Sequence, residues 1–204
     1  MHWATLGAYI ALDTVLCFIP GPAVMAVVGS ALSHSRTGFA TAAGILTGNF
    51  IYFVISALGI ASVILASHAV FVVIKWCGAG FLAYLGIRAL VTSLADAQNE
   101  MMASDAQRLA RGWASGTITQ LSNPKALVFF VAIVPQFIDP HANLVFQIAI
   151  LGVTGLAVEL VVLSIYIAAA DRIRKRGISP ASRAWAERVG GIFMLGVAAS
   201  VARE

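Results

Sequence analysis

The chain has 204 residues, of which 60% are hydrophobic and only 11% charged, with a formal net charge of +4 and a pI near 9.4. A soluble domain is close to half apolar and a quarter charged, so this composition lacks the charge that keeps a globular surface in water. The mean hydropathy of +0.90 makes lipid the expected solvent, which excludes a secreted globular domain and sets nucleic-acid binding aside despite the basic balance.

Six apolar blocks, at residues 4–32, 38–66, 69–94, 113–138, 144–170 and 186–201, predict an all-α polytopic membrane protein with six transmembrane helices. Crossing the hydrocarbon core takes about 20 residues, and a helix satisfies its own backbone there. Met1-His2-Trp3 lacks the basic leader of a cleavable signal, so the first block is expected to remain as a span.

The first block contains Asp13 and the triplet Pro20-Gly21-Pro22. Two prolines remove two backbone donors and the glycine lowers helix propensity further, so the helix is expected to break there. Backbone groups freed at membrane depth must be met by protein or trapped water, which predicts a polar cavity at the break. A proline kink that serves packing alone is the alternative. The second block carries Thr47-Gly48, Asn49 and Tyr52, and the third carries Lys75 and the small residues Gly78, Ala79, Gly80, Ala83 and Gly86. These small residues suit close helix approach. The fourth block holds Thr117, Gln120 and a second break, Asn123-Pro124-Lys125; the fifth holds Thr154-Gly155 and Glu159; the sixth holds Gly190 and Leu195-Gly196.

These features pair across the chain: the proline breaks of blocks one and four, Thr-Gly of two and five, and Gly with Leu-Gly of three and six. Three spans per half is odd, so the halves are expected to insert with opposite topology. The prediction is a single domain, 1–204, built of two inverted three-helix repeats, 1–94 and 113–204, joined by a cytoplasmic loop, 95–112. Arginine and lysine concentrate after blocks one, three and five, at Arg36, at Arg108 and Arg111, and at Arg172, Arg174, Lys175, Arg176 and Arg183. Those loops are therefore expected in the cytoplasm, with both termini outside.

Breaks at matching places in inverted halves are the best sequence pointer to a transporter's site. The expected substrate-binding set is Asp13, Pro20, Gly21, Pro22, Asn49, Asn123, Pro124, Lys125 and Glu159. Lys125 near mid-depth is costly unless it reaches an interface, a carboxylate or water. Asp13 and Glu159 could pair with it, bind a cationic group or carry a proton, and a purely structural ion pair is the rival reading. Asn49, like Tyr52, Thr117 and Gln120, is a weaker candidate; each can serve as a helix–helix hydrogen bond. Cys17 and Cys77 lie in apolar stretches without disulfide or metal-ligand spacing. No nucleophile motif, phosphate loop or metal motif is present, so no enzyme, cofactor or metal is expected.

The sequence resembles the lysine exporter (LysE/RhtB) family of small bacterial amino-acid efflux proteins. The matching residues are Pro20-Gly21-Pro22, the Gly44 and Gly48 spacing, and Lys75-Trp76 leading into the run from Gly78 to Ile87. Asn123-Pro124-Lys125 and Pro135-Gln136-Phe137 complete the set. The resemblance implies a multi-pass exporter in the bacterial inner membrane, driven by the proton-motive force and acting on amino acids or close derivatives. Its partners would be that substrate, protons and membrane lipids, with oligomeric state left open, a homo-oligomer included. Ala23 stands where such proteins often carry a polar residue, which removes a side-chain contact there but not the freed backbone. The expected mechanism places a zwitterion between the two breaks, its carboxylate at half-helix N-termini and its ammonium at freed carbonyls, Asp13 or Glu159. Asp13 leads as proton carrier and Glu159 is second. A passive channel for small polar solutes is the alternative.

Overall fold

The computed structural model describes residues 3–57, 104–139 and 142–177 and a few single positions within 76–87 and 192–199. Most of the third and sixth spans, with Lys75, Cys77, Gly78, Ala79, Leu85, Gly86 and Gly190, lies outside the described residues. What is described is all helical, without a strand: α1 (Trp3–Phe18), α2 (Pro22–Ser33), α3 (Ser35–Ala57), α4 (Asp105–Leu121), α5 (Pro124–Val128) and α6 (Leu144–Lys175). A π-helical turn, Phe129–Ile133, and a 3-10 turn, Val134–Phe137, extend α5. Among the described residues, two helices are long and apolar enough to cross a membrane, Ser35–Ser56 and Leu144–Lys175. Two further pairs pass only when joined across a bend, 56° between α1 and α2 and 55° between α4 and the stretch Pro124–Phe137.

The bends fall at the two proline motifs. The Ile19 amide donates to the Val15 and Leu16 carbonyls at 3.2 Å, and then the ladder stops. Gly21 is the extended N-cap of α2, with Pro22 in its first turn, where a missing N–H costs nothing and a fixed φ favours the helix. At the second break the Asn123 side chain accepts a hydrogen bond from the Lys125 amide at 3.1 Å, and Pro124 opens α5. Asn123 itself is extended, as a residue before proline should be.

α2 and α3 form a tight antiparallel hairpin at His34, with the Thr41 hydroxyl donating to Ser30 Oγ at 3.0 Å. α3 and α4 run parallel, because Thr37 meets Gly112, Thr41 meets Gly116 and Gly48 meets Gln120. Four glycines, Gly44, Gly48, Gly112 and Gly116, let the two backbones touch, two GxxxG spacings laid against each other. α1 and α6 also run parallel: Gly155 lies against Tyr9, and Tyr166 Oη donates to the Phe18 carbonyl at 2.9 Å.

α4 begins earlier than its apolar block. Ser104 and Gln107 form a reciprocal capping box, so residues 105–112, expected as loop, are the polar first turns of a helix. α6 likewise outruns its block to Lys175, placing Arg172, Arg174 and Lys175 at the negative end of the helix dipole. Gly177 follows with φ of 79°, a left-handed position that glycine adopts without strain.

Two apolar clusters fill the bundle. One joins Ala23, Val27 and Ala31 of α2 to Ala42, Ile45, Leu163, Ile167 and Ala170. The other joins Tyr9, Tyr52 and Phe53 to Phe129, Phe130, Val134 and Leu151. Phe130 stacks on Tyr52 at 5.5 Å and meets Phe53 edge-on at 4.8 Å.

Candidate functional site

A cavity of about 50 Å³ lies where both breaks meet, lined by members of both clusters. That volume meets the size needed to hold ordered water. Of the nine residues expected from the sequence, Asp13, Gly21, Asn49, Asn123, Lys125 and Glu159 line it. Pro20, Pro22 and Pro124 are not in the lining; they stand at the breaks and end or start the helices that carry the others.

The polar groups are arranged in two sets. One is a row of side chains crossing from α3 to the first break. Gln120 Nε2 donates to Asn49 Oδ1, Asn123 Nδ2 donates to Gln120 Oε1 at 3.2 Å, and Asn123 Oδ1 caps α5. All three amides are buried. Gln120, a weaker candidate on sequence and outside the expected binding set, is the link between Asn49 and Asn123. A buried amide left without its partner costs about 1–3 kcal/mol. Asn49→Ala is therefore expected to lower the stability of the purified protein by that amount, read as the midpoint of thermal unfolding in detergent.

The row ends on Lys125. Its ammonium reaches neither acid. Among the described residues it forms no ion pair, and Nζ instead donates to the Leu16 carbonyl at 2.8 Å and the Ile19 carbonyl at 3.1 Å. These are the carbonyls freed by Pro20-Gly21-Pro22, so a side chain from the second break closes the end of the helix at the first. Tyr166 takes the Phe18 carbonyl, and Tyr52 Oη donates to the Leu121 carbonyl at 2.6 Å at the other break. The expectation that freed carbonyls would be left for a ligand's ammonium is thereby revised. Lys125 and two tyrosines already occupy them, because unpaired carbonyls in a low-dielectric interior are costly. The ion-pair reading of Lys125 gives way for the same reason.

The second set is acidic. Asp13 on α1 and Glu159 on α6 are both buried, at 6% and 9% exposure. Cys17 Sγ donates to Asp13 Oδ1 at 3.8 Å, while Asp13 Oδ2 and Tyr9 Oη are buried without a partner among the described residues. Gly155, one turn before Glu159, makes room for both: a Cβ there would collide with Tyr9 Oη and stand 3.6 Å from Asp13 Oδ2. Tyr9, Cys17, Phe53, Phe129, Phe130 and Gly155 also line the cavity and were not singled out as its residues from the sequence. Tyr9 and Cys17 lie four residues either side of Asp13, on one helix face, a spacing that could have found them. The phenylalanines of the π-helical turn gave no such signal.

α2 begins with buried Ala23 and Val24, which also line the cavity. The first amides of a helix point along its axis without intrahelical partners and carry partial positive charge. The cavity thus brings together two carboxylates, the start of α2 and the aromatic side chains of Tyr9, Phe53, Phe129 and Phe130, a setting for a small molecule bearing both charges.

Comparison with known proteins agrees with this chemistry. Residues 14–204 match the LysE type translocator family. A homoserine/homoserine lactone efflux protein of Salmonella typhimurium is 32% identical over 190 residues, covering 92% of this chain and 91% of the relative. An uncharacterised membrane protein of Bacillus subtilis is 34% identical over 177 residues, covering 82% and 83%, and one of Vibrio cholerae is 29% identical over 179 residues, covering 85% and 84%. No solved structure matches the chain. A membrane-embedded protein whose broken spans enclose polar groups, matched over nearly its whole length by a family of translocators, is a transporter and not an enzyme: the chain belongs to the LysE type translocator family.

Proposed function

We propose that this chain is a secondary exporter of amino acids or close derivatives, working by exchange with protons in the bacterial inner membrane. The observation that carries the reading is the meeting of Asp13, Glu159 and the Asn49–Gln120–Asn123 row in one buried cavity at both helix breaks. The substrate's ammonium faces Asp13 Oδ2 and Glu159, the acids not used by Lys125. Its carboxylate faces the amides that open α2. The homoserine efflux relatives support a substrate of this size and charge.

The full architecture belongs to the same proposal. A single domain of six crossings, 1–94 and 113–204 as inverted halves, is supported by the order of elements: a broken span then a continuous one, twice. The parallel pairings of α1 with α6 and of α3 with α4 are those an inverted repeat requires. The cations at the end of α6 support a cytoplasmic location for that end.

Proton coupling is assigned to Asp13 first, because one of its oxygens faces the cavity unpartnered, and to Glu159 second. In proteoliposomes, an imposed pH gradient is expected to drive homoserine accumulation by the unaltered protein. Asp13→Asn is expected to reduce that accumulation to background while the protein still inserts and folds. Equal flux with and without the gradient would make the protein a passive pore. Accumulation by Asp13→Asn at the unaltered rate would remove Asp13 as the carrier.

A further inference from the structure

A second cavity lies away from the breaks, at the end of the bundle where α3 and α4 start and α6 stops. Its volume is about 370 Å³. His34, Arg36, Arg108 and Arg174 line it with a single acid, Asp105. Asp105 is engaged by Arg108, and Asp171, just behind, holds Arg174 Nη2 at 2.5 Å and Lys175 at 2.7 Å. One donor remains. Arg174 Nε is buried and has no hydrogen-bond partner among the described residues. Arg36 stands exposed at the rim. A cavity lined by guanidinium groups, one with an orphaned buried N–H, suits an anion with several acceptor oxygens.

Its depth narrows the anion further. Within a turn of the cavity the helices become apolar on their exposed faces: Phe39 of α3 is 49% exposed and Ile173 of α6 is 52% exposed. Side chains of that kind meet acyl chains, so the guanidinium groups stand at the level of the lipid headgroups. Basic pockets between helices at that level favour phosphate.

We propose that this pocket binds a phosphate group at the membrane surface, carried by an anionic lipid headgroup or present as the free ion. Bound there, the anion bridges Arg36 of α3, Arg108 of α4 and Arg174 of α6. It adds to the Ser35–Asp171 hydrogen bond that joins the start of α3 to the end of α6. The site is independent of what the transporter carries.

The test uses the full chain in neutral detergent. Thermal unfolding is followed while phosphatidylglycerol, phosphatidylcholine or inorganic phosphate is titrated in, with chloride matching the ionic strength. Phosphatidylglycerol is expected to raise the midpoint and to remain bound in native mass spectra, whereas phosphatidylcholine does neither. A rise with inorganic phosphate of the same size assigns the site to the free ion; a rise with the lipid alone assigns it to the headgroup. Arg36→Gln, at an exposed position that does not threaten folding, is expected to weaken binding about tenfold, as does Arg174→Gln, each removing a charge-assisted contact. Arg172→Gln with Arg176→Gln, outside the pocket, is expected to leave the rise intact. The proposal fails if no phosphate source raises the midpoint. It also fails if Arg36→Gln and Arg174→Gln respond like the unaltered protein.

Discussion

Gly44→Ala or Gly116→Ala is expected to leave little folded protein after detergent extraction, measured as the monodisperse fraction on size exclusion and as the thermal midpoint of what remains. A Cβ at Gly44 would fall on the Trp113 carbonyl oxygen and within 2.7 Å of the Thr117 amide. One at Gly116 would fall on the Thr41 carbonyl oxygen. Both obstacles are backbone of the opposing helix, so no side-chain rotation relieves them; α3 and α4 must move apart along their length. Overpacking with a single methyl normally costs about 1–3 kcal/mol, and more where the neighbour cannot yield. Against a stability of roughly 5–15 kcal/mol, the upper end of that range removes much of the margin.

The sign of the effect is what makes it diagnostic. In an isolated helix, alanine is favoured over glycine by about 1 kcal/mol. Gly29→Ala, with nothing among the described residues within 4 Å of its new Cβ, is accordingly expected to be neutral or slightly stabilising. The same substitution would thus act in opposite directions on α2 and on the α3–α4 seam. Separation of that seam would also pull Gln120 from Asn49, because both lie on it. Packing and the polar row therefore stand on the same four glycines.

How much of this was readable beforehand depends on how local the cause was. Pro20-Gly21-Pro22 and Asn123-Pro124 act on their own backbone, so the two breaks and the helices on either side follow from sequence. So does the meeting of Asp13, Asn49, Asn123, Lys125 and Glu159, once the breaks are taken to face one another. The Ser104 capping box was equally local but lay in a polar stretch, and hydropathy alone passed over it. Partner choice was not local. Lys125 had two carboxylates and a set of open carbonyls within conceivable reach, and only the bend between α1 and α2 decides which it meets. Gly112 and Gly116 carry no signal until α4 is known to lie parallel to α3. Phe129 and Phe130 reach the cavity wall through a π-helical turn, which regular helical spacing does not foresee.

Lys125→Met tests the most consequential of those non-local contacts. Methionine matches the length and apolar stem of lysine but supplies no donor. The Ile19 carbonyl would then lose its side-chain donor and the Leu16 carbonyl would keep only the Ile19 amide, a loss of about 1–3 kcal/mol at the part-buried Leu16 contact. The cavity would also lose the cation that it holds together with Asp13 and Glu159, and with it the interaction that favours their ionised forms in a medium that penalises uncompensated charge. The expected outcome is a lower thermal midpoint together with loss of gradient-driven transport. Lys125→Arg keeps charge and donors, but its rigid plane fits two carbonyls placed for an ammonium less well; it is expected to fall between the two proteins. A double-mutant cycle separates the two contributions. If Lys125 acts only as a cap, adding Asp13→Asn to Lys125→Met adds the full stability effect of Asp13→Asn alone. If the charge balance of the cavity matters, neutralising Asp13 offsets part of the loss, and the two substitutions are non-additive. The geometry favours the second outcome, because Lys125 and both acids line one cavity of about 50 Å³, where removing one charge changes the setting of the other two.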